Sequence, residues 1–246
     1  MTDGGTPPVH GDYIMIIHGL NRVTLLDFPG RVACTVFTGG CDFRCPFCHN
    51  SQLVLDPGSA PRIPAEDFFS FLERRRGILD GVAVTGGEPL LQQGLADFLR
   101  RVKEMGFAVK LDTNGNHPVR FGELLSEGLV DYAAVDIKNC PERYAETVGI
   151  DGFDVSGVRE SASMLLSKKY GIPYEFRTTA VREFHDAASF RGIADFIAGA
   201  ERYFIQNFVD SGAVIRSGLH GFSAEELAVF ADAARDRIPS VEVRGV

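Results

Sequence analysis

The 246-residue sequence lacks the long apolar run that a membrane protein would carry. A membrane-spanning helix needs roughly 18 apolar residues, and the apolar stretch at 14–17 is far too short. Residues 1–12 also lack the cationic start of a signal peptide. We therefore expect a cytoplasmic protein without a membrane partner.

A surplus of basic residues is also missing, since the formal net charge is −8. Broad nucleic-acid binding needs lysine and arginine gathered on one face to contact phosphates, so no nucleic-acid partner is expected. The arginine run at 74–76 is better explained as cations that oppose the dipole at the end of a helix. The length suits one large α/β domain.

Cysteine is scarce, because the chain has five and their odd number disfavours a scaffold of disulfides. Three of them, Cys41, Cys45 and Cys48, are spaced C-x3-C-x2-C inside one loop and can converge on one metal centre. A 4Fe-4S cluster normally takes four cysteines, so three would leave one iron open to a ligand that is not protein. A zinc site that adds His49 is the alternative.

Predicted strands and helices alternate along the chain. Strands are predicted at 31–38, 81–85, 108–111, 132–137, 174–179 and 203–208, with a short final strand at 241–244. Helices are predicted at 64–76, 91–105, 118–127, 141–148, 158–170, 187–198 and 223–235. Alternation with single crossovers indicates a parallel sheet with helices outside.

Six rounds of strand and helix are fewer than the eight of a closed barrel, so we expect an α/β fold of the partial (β/α)6 type, similar to an incomplete TIM barrel. A single domain is predicted over 13–246, with its core at about 19–209 and a C-terminal helix and strand to 246. Residues 1–12 are predicted to form a flexible N-terminal tail.

Polar or glycine-rich motifs follow four of the predicted strands, at 39–50, 86–89, 112–115 and 136–138. In parallel barrels the reactive groups sit on loops after the strand C-termini, so these motifs should meet. Gly86 and Gly87 leave backbone carbonyls uncovered, and these carbonyls together with the Glu88 carboxylate suit an ammonium group. An ordinary turn is the alternative for that motif.

The cysteine spacing, with Phe47 before the last cysteine and His-Asn after it, resembles the radical S-adenosylmethionine (SAM) enzymes. The run at 19–30 (GLNRVTLLDFPG) and the loop ending at His49-Asn50 are similar to the activases of glycyl-radical enzymes. Among these, the resemblance is strongest to activating proteins of anaerobic ribonucleoside-triphosphate reductase and weaker to pyruvate formate-lyase activating enzymes. Gln206-Asn207 departs from the latter, which have a histidine-containing ending there.

The resemblance implies the partial barrel fold, a 4Fe-4S cluster on the three cysteines, and SAM bound to its open iron. It implies a radical SAM oxidoreductase that reductively cleaves SAM and uses the 5′-deoxyadenosyl radical to form a glycyl radical on anaerobic ribonucleoside-triphosphate reductase. A flavodoxin- or ferredoxin-type protein would supply the electron. The candidate cofactor-binding residues are Phe47, His49, Gly86, Gly87, Glu88, Asp112, Thr113, Asn114, Asp136, Lys138 and Arg177.

Several of these residues have a specific expected role. Phe47 would lie beside the adenine, and His49 would act as an orienting hydrogen-bonding group. Lys138 would pair with the SAM carboxylate, while Asp136 would bind a ribose hydroxyl or hold Lys138. For Asp136 and Lys138 a plain salt bridge is the alternative, and for 112–115 it is a plain turn.

Other interpretations remain open at this point. The chain could be a radical SAM enzyme for another glycyl-radical enzyme or for a small molecule such as a deazapurine precursor. It could also be a non-enzymatic zinc or iron–sulfur binding module. Cys34 should be a buried small hydrophobe, Cys140 could approach the cavity, and His185 could face it or belong to a helix N-terminus.

Overall fold

Residues 15–245 are described here from a computed structural model, and the predicted tail at 1–12 lies outside the described residues. Eight strands form one sheet whose spatial order follows the sequence. They are β1 (Ile17–Thr24), β2 (Ala33–Thr38), β3 (Gly81–Gly86), β4 (Ala108–Thr113), β5 (Tyr132–Asp136), β6 (Tyr174–Ala180), β7 (Tyr203–Asn207) and β8 (Val241–Arg244).

Strand β1 pairs with β2 in the antiparallel sense, and every later pairing up to β7 with β8 is parallel. Strands β2–β7 are the six predicted parallel strands. The structure therefore confirms the partial barrel, with β1 added at one edge and β8 at the other. Between residues 15 and 245 no pairing joins β8 to β1, so the barrel is open on that side.

Eight α-helices occur within the described residues: α1 (Ser51–Leu55), α2 (Ala65–Glu73), α3 (Leu95–Glu104), α4 (Pro118–Ser126), α5 (Tyr144–Val148), α6 (Ser156–Leu166), α7 (Ala187–Phe196) and α8 (Ala224–Arg235). None of them is long and apolar enough to span a membrane. The predicted helix at 91–105 is wrong at its start, where a 3-10 turn (Pro89–Leu91) precedes α3 and Gly94 has a left-handed φ of 77°. Helix α1 was not predicted.

The two faces of the sheet differ in chemistry because alternate residues of a strand point to opposite sides. On β4, Val109 and Leu111 are fully buried in the hydrophobic core that the strands form with the helices. Lys110 and Asp112, which alternate with them along the strand, point into the barrel, where they bind each other. The barrel interior is thus polar and charged.

The N-terminal end of the barrel is filled by a small aromatic cluster. Phe28 and Tyr132 pack edge to face with ring centroids 6.0 Å apart, and Ala33 completes the cluster. A side-chain carbon at Gly81 would lie 2.8 Å from the Phe28 ring, which explains why glycine begins β3. This filling leaves the C-terminal edge for the site.

Candidate functional site

A cavity of about 170 Å³ lies at the C-terminal edge of the barrel, where the four predicted motifs meet. Loops and strand ends from β2, β3, β4 and β5 each contribute part of its wall. Predicted site residues in the lining are Cys41, Cys45, Phe47, Cys48, His49, Gly86, Gly87, Asp112, Thr113, Asn114, Asp136 and Lys138.

The cysteine loop presents its three thiols to this cavity. A turn joins the second and third cysteines, and in it the Cys48 amide donates to the Cys45 carbonyl at 3.0 Å. Burial raises the pKa of Cys41 and Cys45 to about 12, and burial also raises the pKa of Cys48. Such thiols lose their protons readily only to a metal, whose charge stabilises the thiolate. Soft sulfur donors of this kind fit an iron–sulfur cluster.

His49 takes a hydrogen-bonding position beside the loop. Its ring stacks on Phe208 with centroids 5.3 Å apart, and its Nε2 lies 2.8 Å from the carbonyl oxygen of Val209. In the part of the chain that the structure describes, no three His, Cys, Asp or Glu side chains are arranged to hold a single metal ion. The zinc alternative, which needs four ligands about 2.0–2.3 Å from one ion, therefore gains no support from this geometry.

Gly86, at the end of β3, and Gly87 pack directly on the backbone of Thr38 and of the cysteine loop. The Gly87 amide donates to the Thr38 carbonyl at 2.8 Å, and the Glu88 amide donates to the Gly40 carbonyl at 2.7 Å. A side-chain carbon added at Gly86 would lie 2.3 Å from the Thr38 nitrogen. One added at Gly87 would lie 1.9 Å from the Gly40 oxygen. Only glycine fits this approach, which fixes the cysteine loop against β3.

Glu88 differs from the expected geometry. Its side chain is fully buried and lies outside the cavity lining, where Oε1 accepts hydrogen bonds from the Leu90 amide (3.0 Å) and the Thr113 hydroxyl (2.7 Å). Oε2 accepts one from the Asn114 amide at 2.7 Å. Burial raises the pKa of Glu88 to about 7. Glu88 thus braces the turn after β4, and its expected contact with an ammonium group stays a prediction.

A charged network forms part of the cavity wall and continues behind it. Lys138 Nζ is 3.0 Å from Asp136 Oδ2, and the Arg177 guanidinium is 2.9 Å from Asp136 Oδ1 and 3.0 Å from Asp112 Oδ2. Burial alone would favour the neutral forms, but the opposite charges prevail. The pKa of Asp136 is therefore lowered, and the pKa values of Lys138 and Arg177 are raised. All three stay charged near neutral pH.

Lys138 and Arg177 differ in whether they line the cavity. Lys138 lines it, held in place by Asp136, as one of the two expected roles of that carboxylate requires. Arg177 is outside the lining and holds Asp112 and Asp136 from below. The expected contact of Arg177 with a cofactor stays a prediction.

Phe47 is almost fully buried, lines the cavity, and packs against Phe184 with centroids 5.7 Å apart. Cys34 is buried in the core on β2, as expected, and Cys140 is buried beside Gly192. Neither of these two cysteines lines the cavity. The structure thus offers the three loop cysteines, without a fourth, at this site.

His185 is buried behind the site and does not line it. Its Nε2 lies 2.8 Å from the Lys138 carbonyl oxygen, and burial lowers the pKa of the imidazole. Asp186 accepts from the Ser189 amide and caps α7, so this pair belongs to a helix N-terminus. His185 therefore supports the backbone that carries Lys138.

Sequence reasoning missed several polar residues of the site. Asn50 donates to the Gly86 carbonyl at 2.8 Å, which ties the end of the cysteine loop to β3. Asp42 accepts hydrogen bonds from Asn114 at 2.8 Å and Asn116 at 2.7 Å, and its Oδ2 lies 3.0 Å from Nε2 of His117. These partners are more than 70 residues from Asp42, so no local pattern signals the contacts. The position of 114–117 just after a strand end is the signal that could have been used.

An open parallel barrel whose C-terminal edge gathers three cysteines, a glycine pair and a buried lysine defines an α/β enzyme built around a metal–sulfur centre. The sequence model of the Radical SAM superfamily matches residues 35–197, which is more than half of the chain. The chain belongs to the radical SAM superfamily. Its cofactors are accordingly those of the family, S-adenosylmethionine and a 4Fe-4S cluster.

Two named relatives are similar to the chain. It is 32% identical over 196 residues to a Methanocaldococcus jannaschii protein named as a candidate glycyl-radical enzyme activating enzyme, covering 78% of this chain and 80% of the relative. It is also 32% identical over 146 residues to the pyruvate formate-lyase-activating enzyme of Clostridium pasteurianum, covering 56% of this chain and 60% of that enzyme.

Solved structures support the fold. SuiB of Streptococcus suis bound to S-adenosylmethionine superposes with a TM-score of 0.65 at 14% identity, over 84% of this chain and 48% of SuiB. TYW1 with a lysine-pyruvate adduct gives a TM-score of 0.54 at 13% identity, over 84% of this chain and 74% of TYW1. At these identities the likeness concerns the fold, and the chain spans about half the length of SuiB.

Proposed function

We propose that this protein is a radical SAM activase that forms a glycyl radical on a partner enzyme, anaerobic ribonucleoside-triphosphate reductase. The observation that carries the proposal is the 32% identity to a named activating enzyme across 80% of that enzyme's length. The resemblance of residues 19–30 and of the cysteine loop to the reductase activases favours this partner over pyruvate formate-lyase.

We assign the cluster to Cys41, Cys45 and Cys48, because these thiols line one cavity and lie in one loop. The lining of the same cavity extends from the thiols to Gly86, Thr113 and Lys138. We assign SAM to that space, against the Gly86 and Gly87 backbone, the turn at 112–114 and Lys138.

The cluster and SAM, when bound, would supply the one-electron cleavage of a carbon–sulfur bond that gives methionine and a 5′-deoxyadenosyl radical. The protein residues orient and shield the reactants. Lys138, held by Asp136, would pair with the methionyl carboxylate, while Phe47, packed against Phe184, would line the apolar wall beside SAM. The α-carbon of the partner's glycine then gives up a hydrogen atom, leaving 5′-deoxyadenosine and a glycyl radical. A flavodoxin- or ferredoxin-type protein supplies the electron.

The open side of the barrel offers the partner a way in. A cavity of about 610 Å³ lies between the turn after β1, at Leu25 and Leu26, and the strand residues Gln206 and Arg244. Arg177 lines this cavity and also contacts Asp112, which lines the cysteine cavity. We expect a glycine-bearing segment of the partner to dock at this open side, where the Arg177–Asp112 ion pair separates this cavity from the cysteine cavity.

We further propose that residues 13–246 act as one radical SAM domain in the cytoplasm. The single sheet that runs from β1 to β8 supports one domain. A reducing compartment supports the free thiols that the site requires.

The test is anaerobic reconstitution with iron and sulfide, then addition of SAM, a reductant and the ribonucleotide reductase from the same source. A glycyl-radical signal in the electron paramagnetic resonance (EPR) spectrum is expected with the wild type and with the control Cys34→Ala. The signal should vanish with Cys45→Ala. Cleavage of SAM without any signal on a folded reductase would overturn the choice of partner.

A further inference from the structure

Asp42 stands between the first two cysteines of the loop, and its carboxylate binds three side chains from another part of the fold. Oδ1 accepts from Nδ2 of Asn114 at 2.8 Å, while Oδ2 accepts from Nδ2 of Asn116 at 2.7 Å and lies 3.0 Å from Nε2 of His117. All three partners follow β4 or lie at the start of α4. One carboxylate therefore links the cysteine loop to a separate strand end.

The partners are themselves held in place. The Asn114 amide donates to Glu88 Oε2 at 2.7 Å, and the Asn116 amide donates to Asn114 Oδ1 at 2.9 Å. That second contact leaves the Asn114 side-chain NH2 facing Asp42. A side-chain carbon at Gly157 would lie 2.9 Å from the Asn116 carbonyl oxygen, so α6 packs closely against this turn. The asparagine donors are thus held in position by contacts that do not involve Asp42.

The first cysteine lies next to these contacts. The Asn114 side-chain nitrogen is 3.9 Å from Cys41 Sγ, and the Phe43 amide donates to the same sulfur at 3.4 Å. Arg44 donates to the Cys41 carbonyl at 2.5 Å. Cys41 is therefore the cysteine whose position depends on the turn after β4, whereas Cys45 and Cys48 share a turn of their own.

We propose that Asp42, Asn114, Asn116 and His117 form a clamp that positions Cys41 as a cluster ligand. Groups that orient a metal ligand typically contribute 10- to 100-fold in metal affinity. The inference rests on the proposed assignment of Cys41 to the cluster. Asp42 is a positioning residue, since it acts on the cluster through Cys41 and the loop.

The experiment measures how fast the reconstituted protein loses its cluster to an iron chelator, followed by the fall of the cluster absorbance. Asp42→Ala removes all three contacts and should accelerate the loss about tenfold or more. Asn116→Asp sets a carboxylate against Asp42 and should also accelerate it. The double variant Asp42→Asn with Asn116→Asp restores an amide-to-carboxylate contact and should return the rate to near that of wild type.

Two further measurements sharpen the test. In the metal-free protein, iodoacetamide should label Cys41 faster in Asp42→Ala than in wild type, with Cys48 unchanged. The surface variant Asp195→Asn, which alters an exposed ion pair with Arg237, serves as the matched control and should match wild type.

The clamp is refuted if Asp42→Ala loses its cluster at the wild-type rate or if the double variant is no slower than Asn116→Asp. A different failure is also recognisable. If Cys41→Ala holds the cluster as well as wild type does, the assignment of Cys41 is wrong and the proposed site fails with it.

Discussion

Gly87→Ala is the substitution whose effect the structure specifies most closely. The added methyl carbon would lie 1.9 Å from the Gly40 oxygen and 2.7 Å from its carbonyl carbon. In close-packed protein such contacts are absent, so the cysteine loop and the end of β3 must separate by about 1 Å. Two hydrogen bonds of the Gly40 backbone are at risk, from the Glu88 amide (2.7 Å) and to the Leu53 carbonyl (2.7 Å).

The expected cost follows from these contacts. Overpacking costs about 1–3 kcal/mol, and each weakened hydrogen bond costs about 1 kcal/mol. We therefore expect Gly87→Ala to lower the free energy of unfolding of the metal-free protein by about 3–5 kcal/mol. Denaturant unfolding measures this value, and the iron bound per chain after reconstitution should fall in parallel.

The matched control is Gly58→Ala, because a carbon added at Gly58 has its nearest neighbour at 3.6 Å. This variant should stay within about 0.5 kcal/mol of wild type. If Gly87→Ala unfolds within that same margin and binds as much iron as the control, then the close approach of β3 to the cysteine loop is not what the structure indicates.

Three further predictions concern buried charges and the other cysteines. Arg177→Met removes the cation that Asp112 and Asp136 share, while Lys110 and Lys138 still neutralise them, and should lower the free energy of unfolding by about 1–3 kcal/mol; no loss in denaturant unfolding would contradict the network. The pKa of Glu88 is about 7 in the fold against an ordinary value of 4.5, so the folded chain binds an extra proton between these values. The free energy of unfolding should therefore fall as pH rises from about 4.5 to about 7, and a Glu88→Gln variant with the same slope would refute this. Cys34→Ala and Cys140→Ala should keep full iron content while Cys45→Ala loses it, and iron loss in either of the first two would reveal a fourth ligand.

Much of the fold could be predicted because the strands are strongly apolar and each is followed by a helix-forming segment. Strand β4, for example, begins at Ala108 as predicted and extends to Thr113. Helix α1 was missed because its five residues are too few to show a helical period. The start of α3 was predicted too early because Gly94, which has a left-handed φ, caps the helix and α3 begins only at Leu95.

The location of the site could also be predicted, because the C-terminal ends of parallel strands lie at the same edge of the sheet. The direction of individual side chains could not. Glu88 turns into the protein, and Arg177 reaches Asp136 across 41 positions of sequence. Asp42 contacts His117, which lies 75 positions later in the sequence. Such contacts depend on how neighbouring strands align in space, which no local motif encodes.

The most direct measurement of the central claim follows the hydrogen atom itself. Ribonucleotide reductase from the same source, produced with deuterium on the α-carbon of its glycines, is incubated anaerobically with the reconstituted protein, SAM and a reductant. We predict that the 5′-deoxyadenosine formed carries one deuterium and that a glycyl radical accumulates on the reductase. Undeuterated 5′-deoxyadenosine in the presence of the folded reductase would contradict the proposed activation.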